Sequence, residues 1–498
     1  MSTKTLFSLI TLLAFGLSMP SQVVAQDQQA SRPPNIVFIL ADDLGIGDLG
    51  AYGGESIKTP HIDKLAESGV RCTAGYVSNP VCSPSRAGLI TGRYQQRHGW
   101  EFNPSGQDSR TGMSTDERTF ADELKALGYV TGMVGKWHLG KQDQHHPMNR
   151  GFDEYFGLLE GASIYIDSRV PGVEYSSRGG EPGPTTRPNK ILRGFEEVNV
   201  ERYLTDVFTD EAVAFIARHS NEPFLLYLSH ITPHTPLQAT KHYLDRYRHL
   251  EDPGARIYAA MVAALDDSVG RVVEQLKAID QYENTLIVFL SDNGCAGYLK
   301  ISCCSNQPYF GYKRYHNEGG IRIPFILSWP AKLPAGKVYD APVISLDLLA
   351  TFTAAAGQVK TTEDSVNLLP FFTGERAGIP HEYLYWRTGP TIAIREQSWK
   401  LIRYNRFKSE TAGTGNTGLL RPPEGGWSND SPHGQATLLY DILKDPGETT
   451  NLAGKHPDVV RRLSKEHARW VGQLKDPILS CNRSTVVEID GETIQLFF

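Results

Sequence analysis

A chain of 498 residues is long enough to bury a large core, and 40% hydrophobic with 21% charged residues are the proportions of a folded globular protein, not of a disordered one. A formal charge of −6 gives no long-range pull on polyanions, so a nucleic-acid partner is not expected, and any anionic ligand must meet positive charge concentrated in a pocket. Length alone predicts one big α/β domain with a smaller appendage, or two to three ordinary domains.

Lys4, the apolar run over residues 6–17 and the small residue Ala25 have the order of an export leader. That run is shorter than the ~18 apolar residues of a membrane helix, and no later segment reaches that length, so no membrane span is expected. The expectation is a periplasmic or secreted chain cut near Ala25, which takes the formal charge from −6 to −7 with the loss of Lys4. Six cysteines (Cys72, Cys82, Cys295, Cys303, Cys304 and Cys481) would by default form disulfides in such a compartment. If chemistry uses Cys82, one of the other five stays free, and the adjacent Cys303 and Cys304 are strained against bonding each other.

Taken in order, the elements alternate. Residues 35–41 form an apolar, β-branched run ending at Asp42-Asp43. Thr119 and Asp122 make a capping-box start before Phe120, Leu124 and Leu127, and Gly128 ends that helix. A Gly/Pro/Ser-rich loop spans about residues 170–190. Residues 224–228 run into Ser229-His230. Leu265, Val269, Val272, Leu276 and Ile279 make the apolar stripe of a later helix. Residues 285–290 run into Ser291-Asp292-Asn293-Gly294.

Uninterrupted apolar runs suit strands buried on both faces, and their alternation with helices predicts an α/β fold: a large, mainly parallel mixed sheet sandwiched by helices. Ligands bind such sheets beyond the carboxyl ends of the strands, where the polar clusters lie. After residue 375 short strands (391–395, 399–404), a loop over 411–435, a turn at Asp445-Pro446-Gly447 and a helix from Pro457 predict a small C-terminal α+β subdomain. The expected organisation is a leader at 1–25, a main domain at 33–375 and the subdomain at 376–498.

Cys82-Ser83-Pro84-Ser85-Arg86 opens a twelve-residue stretch that ends Thr91-Gly92-Arg93. Read plainly, it is a cysteine at a helix start with Pro84 in the first turn. It also resembles the C-x-P-S-R signature of type I sulfatases, members of the alkaline-phosphatase-like superfamily, in which the cysteine is oxidised to formylglycine (3-oxoalanine). Gly135-Lys136-Trp137-His138-Leu139-Gly140, Ser291-Asp292-Asn293-Gly294, the segment from Lys313 to Glu318-Gly319-Gly320, and Leu439-Tyr440-Asp441 through Asn451-Leu452-Ala453 are similar to other blocks of that family, in its order.

Asp42, Asp43, Asp292 and Asn293 are hard oxygen donors at strand ends, a set that favours calcium or magnesium over zinc. Related phosphatases of the fold use two zinc ions and a His at the place of Asn293. The resemblance therefore implies one Ca2+, held by Asp42, Asp43, Asp292, Asn293 and residue 82. It further implies that hydrated formylglycine presents two geminal hydroxyls, one attacking sulfur and the other losing a proton as sulfate leaves. By the same resemblance Arg86 and Lys136 hold the formylglycine, His138 is its base, and Lys136 and Lys313 offset charge on the sulfuryl oxygens. His234 matches the histidine at the bridging oxygen and is the candidate general acid, with His230 its alternate. His230, Arg150, Asn306, Tyr312, His316 and Arg322 are candidates to line the substrate pocket.

The expected reaction is sulfate-ester hydrolysis, with a formylglycine-generating or sulfatase-maturing enzyme as a partner. The segment from Cys303 to Glu318 is similar to sulfatases of marine bacteria acting on red-algal galactans such as carrageenan. Glycosaminoglycan, ulvan, fucoidan and simple aryl sulfates are the other substrate classes. A formylglycine-dependent phosphoester hydrolase is the second enzymatic reading. A glycan-binding module with a defunct site would require a missing catalytic residue, and none is missing.

Overall fold

The computed structural model describes residues 32–104, 111–176, 190–407, 434–479, 481 and 484–498. The leader expected at 1–25, and most of the loops expected at 170–190 and 411–435, lie outside the described residues.

The apolar runs form the middle of a ten-stranded sheet. Its order is Lys337–Tyr339, Val70–Cys72, Phe325–Ser328, Thr285–Ser291, Asn35–Ala41, Phe224–Ser229, Val130–Lys136, Glu154–Leu158, Ile191–Arg193 and Glu196–Val198. The five strands from Thr285–Ser291 to Glu154–Leu158 are parallel neighbours; Phe325–Ser328 and Ile191–Arg193 run against them, and Glu196–Val198 pairs antiparallel with Ile191–Arg193. In the central strand Ile36, Phe38 and Leu40 enter one apolar layer and Val37, Ile39 and Ala41 the other. A strand with successive side chains on opposite faces does this only when both faces are covered. Burying each large apolar side chain contributes about 1.5–3 kcal/mol.

The covering helices follow the sequence signals. Thr119 accepts from the Asp122 N–H and starts the helix Phe120–Ala126. Asp252 caps the 26-residue helix Pro253–Ala278, whose buried face carries Leu265, Val269, Val272 and Leu276. No helix among the described residues is long and apolar enough to cross a membrane. Cys72, Cys82, Cys295, Cys303 and Cys304 are buried thiols, so the default expectation of disulfides is not met at these five. Cys295 and Cys304 instead share a hydrogen bond inside the core.

The C-terminal part forms a second, antiparallel sheet of Tyr383–Thr388, Thr391–Glu396, Trp399–Arg406, Gln435–Asp441, Ser484–Ile489 and Glu492–Phe497, with the helix Pro457–Val471 packed on it. Buried polar bonds tie it to residues 316–318, which precede the strand Phe325–Ser328. Lys400 Nζ lies 2.8 Å from Glu318 Oε1 and 3.0 Å from Glu448 Oε1, all three side chains being fully buried. Tyr404 Oη accepts from the His316 N–H at 2.7 Å and donates to Asn317 Oδ1 at 2.9 Å.

Candidate active site

Four adjacent parallel strands end together, and each ends in a polar residue. Asp42 and Asp43 follow Asn35–Ala41, Asp292 and Asn293 follow Thr285–Ser291, and Lys136 and Ser229 close their own strands. Close approach here needs Gly135: at φ +109° a Cβ would meet the Ser229 carbonyl oxygen at 1.9 Å. Into this edge points the helix Cys82–Thr91, all ten of whose residues are buried. Cys82 is its first residue, where unpaired N–H groups and the helix dipole favour negative charge. Asp43 and His138 both have left-handed backbone, φ +64° and +62°, conformations costly for residues other than glycine and concentrated at functional sites.

Arg86, one turn into the helix, reaches back through the edge. Its Nε donates to Asp292 Oδ2 at 2.9 Å, and its Nη1 to Ser229 Oγ at 2.6 Å and the Lys136 carbonyl at 3.2 Å. Lys136 Nζ donates to Asp42 Oδ2 at 2.6 Å, and Lys313 Nζ lies 2.7 Å from Asp43 Oδ1. Three buried acids thus face three buried bases, the pairing that buried charge requires. Burial alone would raise Asp42, but Lys136, His234 and Arg86 hold its carboxyl below the usual range. Lys313 and His234 likewise overcome burial at Asp43. Asp292 goes the other way: burial and the Asp42 charge push it up to about 7 against the pull of Arg86. At Cys82 burial is outweighed by Lys136 and Lys313, with hydrogen bonds from His138 and His234, and the thiol falls well below its ordinary value.

The two histidines are driven apart. Burial pulls His138 down to about 4, against its hydrogen bond to Cys82. His234 is raised despite burial, because Asp42 and Asp43 face it; its Nε2 lies 3.6 Å from Asp43 Oδ2 while Nδ1 is 2.6 Å from the Thr235 carbonyl oxygen. Tyr165 fixes the His234 turn, donating from Oη to the Ile231 and His234 carbonyls at 2.5 and 2.8 Å.

Ligand atoms of Asp42, Asp43, Cys82 and His234 lie within 4.8 Å of one another. Asp42 Oδ1 and Asn293 Oδ1 are buried with no hydrogen-bond partner. Buried acceptors left without donors are costly, and two unpaired hard oxygens on residues beside anionic carboxylates fit a hard divalent cation.

The structure therefore gathers Asp42, Asp43, Cys82, Arg86, Lys136, His138, His234, Asp292, Asn293 and Lys313. The other candidates bond elsewhere. His230 Nε2 lies 2.9 Å from Ser268 Oγ under the sheet. Arg150 donates to the carbonyls of Met113, Ser114 and Glu117, and Arg322 to Glu318 and the Thr73 carbonyl. Asn306 closes a loop, accepting from the Cys295 N–H and donating to the Gly311 carbonyl. His316 meets Thr388, and Tyr312 packs its ring on Tyr315 and Tyr298.

Two participants, Asn103 and Tyr165, escaped the sequence reading, and Ser229 stood there as a strand-end polar residue without a role. Ser229 ends an apolar run as Asp42 follows one, and that position is its signal. Asn103 accepts from the Ser83 N–H at 2.9 Å with Nδ2 4.0 Å from Cys82 Sγ; it and Tyr165 sit in loops without a pattern.

Residues 34–358 match the sulfatase family model. The chain is 35% identical to human N-acetylgalactosamine-6-sulfatase, over 88% of this chain and 84% of that protein. It is 31% identical to human steryl-sulfatase, over 86% of this chain and 85% of that one. Among solved structures it is similar to Ps i-CgsB, crystallised with k-i-k-neocarrahexaose, at 34% identity and a TM-score of 0.76, covering 90% of this chain and 94% of that one. The chain belongs to the sulfatase family, and it is a sulfuric ester hydrolase.

Proposed function

We propose that this sulfatase acts on a sulfated oligosaccharide of the red-algal galactan type, using formylglycine made from Cys82 and one calcium ion. The observation that carries the catalytic part is the placement of Cys82 at a helix N-terminus with His138 and His234 both hydrogen-bonded to it and Lys136 and Lys313 beside it. Two histidines at one nucleophile supply the base and the acid that the two proton transfers need.

Asp42, Asp43, Asp292, Asn293 and residue 82 would hold the cation, which when bound supplies positive charge to polarise sulfuryl oxygen. Oxidised and hydrated, residue 82 supplies the attacking hydroxyl and a second hydroxyl whose proton must later be taken. His138, kept neutral, takes that proton. His234, whose Nδ1 is engaged by the Thr235 carbonyl and whose Nε2 faces Asp43, gives one to the departing sugar oxygen. Arg86 fixes Asp292 and the helix start relative to the strand ends. Lys136 and Lys313 place charge beside the sulfuryl group, within a burial that strengthens it.

The galactan assignment draws on the likeness to Ps i-CgsB. Export with cleavage near Ala25, maturation by a formylglycine-generating enzyme, and a division at residues 375/376 belong to the same reading. Desulfation across defined carrageenan, glycosaminoglycan, ulvan and fucoidan oligosaccharides tests the substrate. Sulfate release from glycosaminoglycans alone would replace the galactan reading. Faster turnover of an aryl phosphate than of its matched aryl sulfate would replace both with the phosphoester one.

A further inference from the structure

Beside Lys313 stands an arginine that the reaction leaves unassigned. The Arg314 guanidinium carbon lies 4.4 Å from the centre of the Tyr298 ring and 3.7 Å from that of Phe498. Both rings lie within cation–π distance of the planar guanidinium, whose N–H donors lie along its edge. Among the described residues no carboxylate pairs with it, and its Nε is buried without a hydrogen-bond partner. A buried donor left unmade costs free energy unless a ligand completes it.

The location ties this edge to the site. The Arg314 N–H donates to the Pro80 carbonyl at 2.9 Å, two residues before Cys82, and its neighbour Lys313 pairs with Asp43. Tyr298 is close enough for its hydroxyl to be affected by the charges of Lys313, Asp43 and Cys82. Arg314 also has φ +85°, a left-handed conformation that glycine would hold without strain. The turn thus sets an arginine in a left-handed conformation against two aromatic rings, with its Nε unpaired.

We infer that Arg314, walled by Tyr298 and Phe498, forms a subsite for a second oxyanion of the substrate, a sulfate or carboxylate on the sugar next to the sulfate being removed. The guanidinium fork matches the paired oxygens of either group. Its stacking leaves little side-chain freedom to be lost on binding. Sugar rings have apolar faces suited to the flanking aromatics. This rests on the carbohydrate reading above and adds to it a preference for multiply charged saccharides.

The test uses mature enzyme and a panel of carrageenan- and chondroitin-type oligosaccharides, each in forms with and without the neighbouring anion. Each is measured as a competitive inhibitor of 4-methylumbelliferyl sulfate hydrolysis. Arg314→Gln should weaken the two-anion member of at least one pair by about tenfold more than its one-anion partner, the scale of one lost bidentate charge-assisted contact. Arg314→Lys, which keeps charge but not the fork, should fall between, and Phe498→Leu should give a smaller loss in the same sense. Pairs differing in a sulfate, compared with pairs differing in a carboxylate, show which anion the subsite takes. Equal weakening of both members of every pair, with a lowered melting temperature, would make the stack a structural clamp and overturn the subsite. If wild-type enzyme desulfates saccharides but Arg314→Gln leaves their discrimination unaltered, the subsite alone falls. If no saccharide inhibits wild-type enzyme, the carbohydrate reading falls and the subsite with it.

Discussion

Lys136 Nζ sits 2.6 Å from Asp42 Oδ2, and neither side chain has any exposure to solvent. Removing one member of such a pair strands the other, typically at a cost of about 3–5 kcal/mol. Lys136→Ala should therefore lower the denaturation midpoint as well as abolish turnover. Lys136→Ala with unchanged stability would show that Arg86, 3.7 Å from the same oxygen, suffices to hold Asp42.

Conversion of Cys82 is read by mass. A peptide carrying formylglycine is lighter than its cysteine form by about 18 Da, from the loss of two hydrogens and exchange of sulfur for oxygen at the nucleophile. Cys82→Ser should fold, since the helix N-terminus is unaltered, yet be nearly inactive and bind substrate without releasing sulfate. Active enzyme showing only unmodified cysteine would remove the aldehyde from the mechanism.

Metal removal should be felt in two readouts at once. A ligand bound only by the folded state stabilises it, so EGTA should lower melting temperature and activity together, and added calcium should restore both. Asn293→Ala takes away one of the two unpartnered oxygens and should weaken calcium binding while leaving the Arg86–Asp292 pair in place. Stoichiometric zinc in purified active protein would contradict the oxygen-donor argument.

His138 and His234 should fail at different steps. His138→Ala should release about one equivalent of alcohol per enzyme and then stall before sulfate appears, since the base is needed second. His234→Ala should lose most activity on a sugar sulfate, whose alkoxide is a poor leaving group. On an activated aryl sulfate, whose phenolate needs little protonation, its loss should be much smaller. Equal losses on the two substrates would take the acid role from His234.

Stability should fall on mild acidification. His98, His230 and His316 are buried and held down to about 3, and His467 to about 4, all by burial, from 6.5. Depressed histidines contribute stability that is complete above about pH 6.5 and is lost as pH falls through that value towards the folded ones. Each adds a slope of up to about 1.4 kcal/mol per pH unit. Urea midpoints between pH 7 and 5 should drop steeply, and His98→Leu, which removes two unpartnered ring nitrogens, should flatten the profile. A slope unaltered by His98→Leu would show that this ring is hydrated in the folded protein.

What could be read from residues alone divides by physical cause. The runs at 35–41, 224–228 and 285–290 were legible because a strand buried on both faces is apolar along its length, and the polar residues after them marked the sheet edge. The capping box at Thr119 and the stripe from Leu265 to Leu276 were legible because both are local or periodic. Cys82, Arg86, Lys136 and Lys313 lay in contiguous blocks. Arg150, Arg322 and Asn306 show the limit: their donors go to backbone carbonyls and a buried acid, partners that spacing cannot disclose. Tyr165 was hidden for the opposite reason, since it acts through the carbonyls of a turn 66 and 69 positions away.

The Lys400 ammonium, shared between Glu318 and Glu448, bears on how the molecule can be re-engineered. A shortened chain ending near residue 375 would keep Glu318 but lose both Lys400 and the Tyr404 hydroxyl that steadies residues 316 and 317. Those residues follow Lys313 and Arg314 by only a few positions, so the cut would loosen the pocket from behind. Specificity swaps between relatives should accordingly exchange surface loops within an intact chain, and a chimera joined at the sheet-to-sheet boundary should be repaired only when its new half brings a lysine and a tyrosine to these two places.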